Sequence, residues 1–379
     1  MSTTPKKVFL IIFDLDFFLS HRYPLIKELS KHNIQFHVIA FFEGDPPANE
    51  ENISYIYINS SRQKFGLFNL MQNSILLSRL IKVNDPDIIY AVSHRSIFLA
   101  RVANLFSRKK SLYAICGMGS MFTKQLSFMK DMRTALLKFA ALRIYQTIVK
   151  GRGVYFLLQN TDDADLLVDY KIASSSNSFI VPGNGLKKSF FCPPRKLNNN
   201  FKFIMIARVL KDKGVIEFLL AAQKVIRLFP QSEFTLYGAY DSTNPHEIKP
   251  EELTKYLCSR IKYAGHVKDI RSKIINSSVV VLPSYREGFS KVLMEAQACS
   301  KPVITSDISG CRDVIIENKT GYLVRPQDAD DLANKMLFML TNIESYDVLA
   351  ENAYDHAREK FSLGSAVSQH IEIFNNITN

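Results

Sequence analysis

Strand-like and helix-like segments alternate along this chain in two series, interrupted once near its middle, and this alternation restricts the fold more than any other feature. In the first series, apolar runs at Lys7–Phe13, Gln35–Phe41, Ile53–Ile58, Asp87–Val92, Ser111–Ile115, Gly153–Gln159 and Ser178–Val181 read as strands. The segments Tyr23–His32, Gly66–Val83, Phe98–Phe106 and Gln125–Lys150 read as helices between them. The pattern breaks at Pro182-Gly183-Asn184-Gly185 and a polar run reaching Asn200. A second series follows: Lys202–Ala207, Gly214–Phe229, Glu233–Gly238, Glu251–Lys262, Ser278–Leu282, Ser290–Ala298 and Val303–Ser306, then helices from Ala329 onward. Repeated βα units predict doubly wound parallel sheets, and ligands bind such sheets at the C-terminal ends of their strands. The predicted architecture is α/β, two Rossmann-like domains with a cleft between them. Residues 1–185 form the first domain, 186–200 a linker, 201–360 the second domain, and 361–379 a helix that packs back on the first.

At 379 residues the chain is too long for one ordinary core. A 47% hydrophobic and 22% charged composition is that of a globular protein with a water-facing surface. The apolar run Val8–Phe13 is too short for a secretory signal and is stopped by Asp14 and Asp16. No apolar stretch reaches the about 18 residues of a membrane span. The five cysteines (Cys116, Cys192, Cys258, Cys299, Cys311) are odd in number and show no Cys-x-x-Cys, so they read as reduced thiols, two of them in the core, and the location as cytoplasmic.

The net charge of +12 is uneven. Residues 1–190 hold 24 Lys/Arg against 14 Asp/Glu, and 191–379 hold 24 against 22; within 101–160 eleven basic residues face a single acid, Asp131. A basic first half points to a polyanionic partner. Anionic lipid headgroups and nucleic acid both qualify, but no nucleic-acid recognition motif is present. The segment Lys130–Lys150 has apolar residues at helical spacing, which reads either as a surface helix of its own domain or as one that touches a membrane.

The chemistry concentrates in the second half. Strand Phe203–Ala207 delivers Arg208 to its end, and Lys213 follows before a helix. Arg208 can clamp phosphate oxygens with two parallel N–H bonds, and Lys213 adds a compact charge. After another strand, Glu287-Gly288-Phe289 lies in a loop and Glu295 in the helix that starts near Ser290. One carboxylate would face a sugar, one a ribose, and the helix N-terminus between them a diphosphate. Gly288 lets backbone approach the sugar closely.

With those residues in view, the stretches ARVLKDKG, YAGHVKDI, VLPSYREGFSKVLMEAQACSKPVITSDISGCRDVI and NKTGYLV resemble the retaining, GT-B-fold glycosyltransferases of family 4, most specifically over residues 203–326. The resemblance implies that Arg208 and Lys213 bind the donor diphosphate together with Gly288, Phe289 and Ser290. It implies that Glu287 sits beside the donor sugar as the catalytic carboxylate, that Glu295 holds the ribose, and that Gly265-His266-Val267 borders the nucleobase. The segments FFLSHRYPLIKEL and ICGMGSMF resemble members that extend lipid-linked oligosaccharides in O-antigen, capsule or protein glycosylation. This implies a nucleotide-sugar donor, a UDP-sugar, and an undecaprenyl-diphosphate saccharide acceptor. It also implies an enzyme peripheral on the inner face of the cytoplasmic membrane, with no nucleic acid as partner. Many relatives carry His-Gly where this chain has Cys116-Gly117, and a cysteine cannot touch the donor sugar as that histidine does. Ser20, His21, His94, Gly117 and Gly119 are therefore the candidates on the first-domain side, with His266 a further substitute histidine.

Metal and cofactor motifs fail. Asp14-Leu15-Asp16 matches a metal-binding Asp-x-Asp, but it is very short and lies in the first βα segment. No His/Cys/carboxylate run has zinc spacing, Gly117-Met118-Gly119 lacks the rest of a dinucleotide fingerprint, and no P-loop exists. No metal and no other cofactor is expected. A sugar-nucleotide 2-epimerase of the same architecture and, further off, a basic nucleic-acid-binding protein are the alternative readings.

Overall fold

The computed structural model describes residues 4–13, 15–41, 47–58, 67–117, 143, 145–196 and 201–378. The chain divides into two units: Met1–Gly185 together with Leu363–Asn379, and Leu186–Ser362.

The first unit is built on seven parallel strands: β1 (Lys6–Ile12), β2 (Ile34–Phe41), β3 (Ile53–Ile58), β4 (Ile88–Val92), β5 (Lys110–Ala114), β6 (Val154–Leu158) and β7 (Ser178–Ile180). They stand in the order β3-β2-β1-β4-β5-β6-β7, so the winding reverses between β1 and β4. A strand sends successive side chains to opposite faces, and helices cover both faces of a parallel sheet. Strand β1 shows this directly. Val8, Leu10 and Ile12 enter one core, while Phe9 and Ile11 enter the other. The first core is closed by Leu25, Ile26 and Leu29 of helix Tyr23–Leu29 and by Phe374 and Ile377 of the C-terminal helix Leu363–Thr378. The second is closed by Leu77 and Ile81 of helix Leu67–Asn84 and by Ile97, Leu99 and Ala100 of helix His94–Ala103.

The second unit carries β8 (Lys202–Ile206), β9 (Glu233–Tyr237), β10 (Ile261–Tyr263), β11 (Val279–Leu282), β12 (Val303–Ser306) and β13 (Gly321–Val324), in the order β10-β9-β8-β11-β12-β13 and all parallel. Its reversal lies between β8 and β11. The stretch read as a linker enters this unit's core as far as Cys192. Phe190 and Phe191 pack against the core, the Cys192 amide donates to the Ala298 carbonyl at 2.9 Å, and Ser300 Oγ donates to the Cys192 carbonyl at 2.6 Å.

Several element boundaries differ from the sequence reading. The helix expected over Glu251–Lys262 is only Pro250–Thr254, and Ile261–Tyr263 is instead the edge strand β10, registered on β9 through Ile261 and Phe234. Strand β13 and the helix Ile270–Ile275 were not expected. The helix placed at Phe98–Phe106 begins at His94, because Ser93 turns the chain there with φ 80°. Three cysteines are buried, not two: Cys192, Cys299 and Cys311. The Lys130–Lys150 helix lies outside the described residues except for Arg143 and residues 145–150, as do Asp14 and Gly119. No helix among the described residues is long and apolar enough to cross a membrane.

Candidate active site of the second unit

The reversal between β8 and β11 is where a doubly wound sheet opens a crevice at its strand ends. The chain builds this crevice by pressing two turns together. After β8 comes a short turn, Lys211–Lys213, closed by Gly214 at φ 74°. A Cβ on Gly214 would lie 2.0 Å from the Pro283 carbonyl oxygen, so only glycine lets the two turns meet. The Tyr285 amide then donates to the Asp212 carbonyl at 2.8 Å, and the Tyr285 hydroxyl donates to Glu217 Oε1 at 2.6 Å.

This clamp brings Lys213 Nζ to 2.8 Å from Glu287 Oε1, with each side chain less than a fifth exposed. Ser284 Oγ donates to the same carboxylate oxygen at 3.0 Å. A charge pair in such a half-buried crevice is screened far less than one on the surface. Behind it sits Cys311, whose thiol burial pushes up to about 12, so its sulfur stays protonated at neutral pH.

The loop Glu287–Ser290 rests on Gly310. The Ser290 amide donates to the Gly310 carbonyl at 2.9 Å, and Gly310 has φ 75°. The helix Lys291–Ala298 starts at Ser290 with no side chain capping it, which leaves its first-turn amides available to an anion. Within that helix Glu295 is 5% exposed, and Lys291 Nζ lies 3.5 Å away. Burial raises the Glu295 carboxyl above the usual carboxylate range, against the pull of Lys291.

Arg208 stands at the rim. It is exposed, and its Nη1 donates to Asp241 Oδ2 at 2.7 Å. Hydrogen bonds from Thr243 and then Arg208 hold the Asp241 carboxyl below its usual range. On the other side of β8 the loop after β10 is tied in by the Gly238 amide donating to the Gly265 carbonyl at 2.9 Å, with His266 exposed and Val267 half-buried. The structure thus joins Lys213 to Glu287 directly and sets Arg208, Glu295 and Gly265–Val267 around the same strand ends. Sequence reasoning missed Ser284, Asp241, Tyr285, Glu217 and Gly310. Only Gly310 left a signal, as a glycine just past a strand end in Ile308-Ser309-Gly310.

In the first unit, Ser20 and His21 sit exposed on a turn of π-helix, Phe18–Arg22, with Ser20 Oγ 2.7 Å from His21 Nδ1 and the imidazole stacked on Phe17. His94 follows β4 and is largely enclosed. Its Nε2 lies 3.2 Å from the Gly117 carbonyl and its Nδ1 2.9 Å from the Tyr145 hydroxyl. The carbonyl can only accept, so Nε2 carries the hydrogen and Nδ1 accepts from Tyr145. Burial lowers the His94 pKa, which makes the ring neutral at neutral pH. Sequence reasoning also missed Arg22. It is buried, with Nη1 donating to Tyr90 Oη at 2.7 Å and Nη2 to Cys116 Sγ at 3.1 Å. Cys116 is therefore a hydrogen-bond acceptor here.

Residues 189–356 match the family model "Glycosyl transferases group 1", and residues 7–147 match "Glycosyl transferase 4-like". The chain is 26% identical to an N,N'-diacetylbacillosaminyl-diphospho-undecaprenol alpha-1,3-N-acetylgalactosaminyltransferase of Campylobacter jejuni, covering 90% of this chain and 93% of the relative. It is 22% identical to a UDP-Gal:alpha-D-GlcNAc-diphosphoundecaprenol alpha-1,3-galactosyltransferase of Escherichia coli, covering 84% and 83%. Among solved structures, a glycosyltransferase from Rickettsia africae superposes with a TM-score of 0.75 at 19% identity, covering 98% of each chain. HepE of Anabaena, solved with UDP and glucose, gives 0.72 at 17%, covering 98% of this chain and 99% of the other. The chain belongs to the glycosyltransferases that these two models describe, an enzyme of the two-domain GT-B fold.

Proposed function

We propose that this enzyme is a retaining glycosyltransferase that moves a sugar from a UDP-sugar to a hydroxyl of an undecaprenyl-diphosphate-linked saccharide in surface glycan assembly, working peripherally on the inner face of the cytoplasmic membrane. The acceptor class is taken from what the Campylobacter and Escherichia relatives are named for. The observation that carries the donor half is the Lys213–Glu287 pair at the β8/β11 reversal, beside an uncapped helix N-terminus. In this reading Lys213, Arg208 and the loop Gly288–Ser290 with the uncapped helix start that follows it take the diphosphate, so its charge is met without a metal. Glu295 accepts from the ribose hydroxyls, Gly265–Val267 border the base, and Glu287 stands beside the sugar. The bond from the anomeric carbon to the phosphate breaks while the acceptor oxygen bonds on the same face. The acceptor proton passes to the departing phosphate oxygen, so no separate protein base is required.

The test offers a panel of radiolabelled nucleotide sugars to the enzyme with membrane lipids bearing undecaprenyl-diphosphate saccharides. Label from one donor should enter the lipid phase with its anomeric configuration kept. Product formed from donor alone, or inversion of that carbon, would sink the proposal.

Glu295 gives a prediction with two opposite signs. Its folded-state pKa is raised, so the native state holds the proton longer than the unfolded chain does. Stability is then greatest below the ordinary carboxylate range and falls as pH rises through the raised value. Replacing the buried charge by Glu295→Gln should therefore raise the melting temperature at pH 7.5, by roughly 2–4 °C for about 1 kcal/mol in a unit of this size. It should also weaken UDP about tenfold, since a charged acceptor is lost. Calorimetry of the free and UDP-bound variant reads both, and a variant less stable than wild type at that pH would contradict the first.

A further inference from the structure

Helix Leu67–Asn84 has a face that, among the described residues, carries exposed apolar side chains. Ser74, Leu77 and Ile81 point into the core, with Leu70 and Leu80 partly buried beside them. At 3.6 residues per turn the opposite face carries Met71, Gln72, Ile75, Leu76, Arg79, Lys82 and Val83. An ordinary surface helix is polar there. Here Met71 is 64%, Ile75 53% and Val83 81% exposed, and Leu76 is exposed as well. The helix contains no acidic residue, and neither Arg79 nor Lys82 meets a carboxylate among the described residues. The surface continues past the helix end. Lys109 Nζ pairs with Asp85 Oδ1 at 2.6 Å, which ties the turn after helix His94–Ala103 to this end and places exposed Leu105, Phe106 and Arg108 beside it. Six of the fifteen exposed large apolar side chains among the described residues lie on these two segments. Isolated exposed apolar residues need no explanation, but a cluster of them on one face marks an interaction surface.

We infer that this face, from Met71 to Val83 and on to Phe106, is the docking surface for an anionic lipid bilayer. Charge and shape choose this occupant. Met71 to Val83 spans about 18 Å along the helix axis, which lets the helix lie flat on the headgroups with its apolar side chains at the acyl boundary. Arg79, Lys82 and Arg108 stand among those side chains, where lipid phosphates meet them and where a protein partner would have to bring its own carboxylates. The inference deepens the reading of a lipid-linked acceptor and rests on it for its purpose, although not for its geometry. It also places the membrane contact on a different helix from the Lys130–Lys150 segment singled out by sequence.

The test sediments the full chain with vesicles of phosphatidylcholine alone or mixed with phosphatidylglycerol, at low and at about 0.5 M salt. Wild type should bind the mixed vesicles, and less at high salt. The triple variant Met71→Asp/Ile75→Asp/Val83→Asp should lose at least about tenfold in partitioning. The pair Arg79→Ala/Lys82→Ala should lose roughly 25-fold at low salt, about fivefold per cation. Both sets should keep wild-type turnover with a water-soluble short-chain acceptor. Should the aspartate variant fail to fold, the alanine pair decides. Binding unchanged in the variants, or no binding by wild type, overturns the inference. So does a wild-type dimer in light scattering that the aspartate variant turns into a monomer, because the face would then cover a second copy of the chain. The two readings fail separately. Vesicle binding that these variants abolish, with no transfer to any lipid-linked saccharide, removes the acceptor reading and leaves the surface. Transfer to lipid with variant-insensitive binding removes the surface and leaves the acceptor.

Discussion

Glu287→Gln is expected to cut turnover by about 10²–10³-fold, the scale set by removing one preorganised electrostatic group from a transition state, while leaving UDP affinity equal or slightly improved. The second half of this expectation follows from the pair seen in the free protein. Lys213 Nζ is held by Glu287 Oε1 at 2.8 Å, so a bound diphosphate must compete with the carboxylate for the ammonium group. Glutamine fills nearly the same space and still accepts from Ser284, but releases that competition. The ammonium is then a nearly buried charge without its partner until the diphosphate supplies one. Nucleotide binding should therefore stabilise the variant by at least as much as it stabilises wild type. The checks are steady-state kinetics at saturating donor and UDP titration by calorimetry. Unchanged turnover would remove Glu287 from the chemistry, and loss of UDP binding in step with turnover would make it a donor ligand and nothing more.

The legible parts of this molecule were those written in local pattern. Strands such as Val8–Ile12 are apolar throughout because both faces are covered, and the helical crossovers between strands bring the chain back for parallel pairing. The candidate donor residues were legible for a related reason: Arg208, Lys213, Glu287 and Gly265–Val267 lie in the turns and loops that follow strands, where such sheets bind ligands, and Glu295 lies in the helix that continues one of those loops. What pattern does not carry is contact between residues far apart in the chain. The Arg22–Cys116 hydrogen bond spans 94 positions and the Tyr285–Glu217 bond 68, and nothing in either local sequence announces its partner. Strand β10 escaped because three residues at a sheet edge, Ile261–Tyr263, have no measurable period. The apolar face of helix Leu67–Asn84 escaped differently. Sequence shows apolar residues all round that helix, and only the fold decides which of them stay in water.

Gly310 provides the second large effect, because it supports the loop of Glu287 without carrying any chemistry. Its φ of 75° lies where a side chain is strained, and a Cβ built there would stand 2.5 Å from the Gly288 carbonyl oxygen and 2.7 Å from that of Glu287. Both obstacles are backbone, so no rotamer change relieves them. Gly310→Ala must either lift the Glu287–Gly288 loop or unwind its own turn, and the first breaks the Ser290–Gly310 hydrogen bond that seats the helix start. The left-handed strain and the lost contact together should cost about 2 kcal/mol, lowering the melting temperature by roughly 4–8 °C. Turnover should fall by about 10²-fold, because a displacement of about 1 Å is enough to misplace a catalytic group. The fall in turnover is the discriminating part. If Gly310 only stabilises the fold, turnover measured well below the new melting temperature should return to the wild-type value. If it holds Glu287 against Lys213, the defect should persist at every temperature, with UDP binding through Arg208 and Glu295 changed far less than the rate.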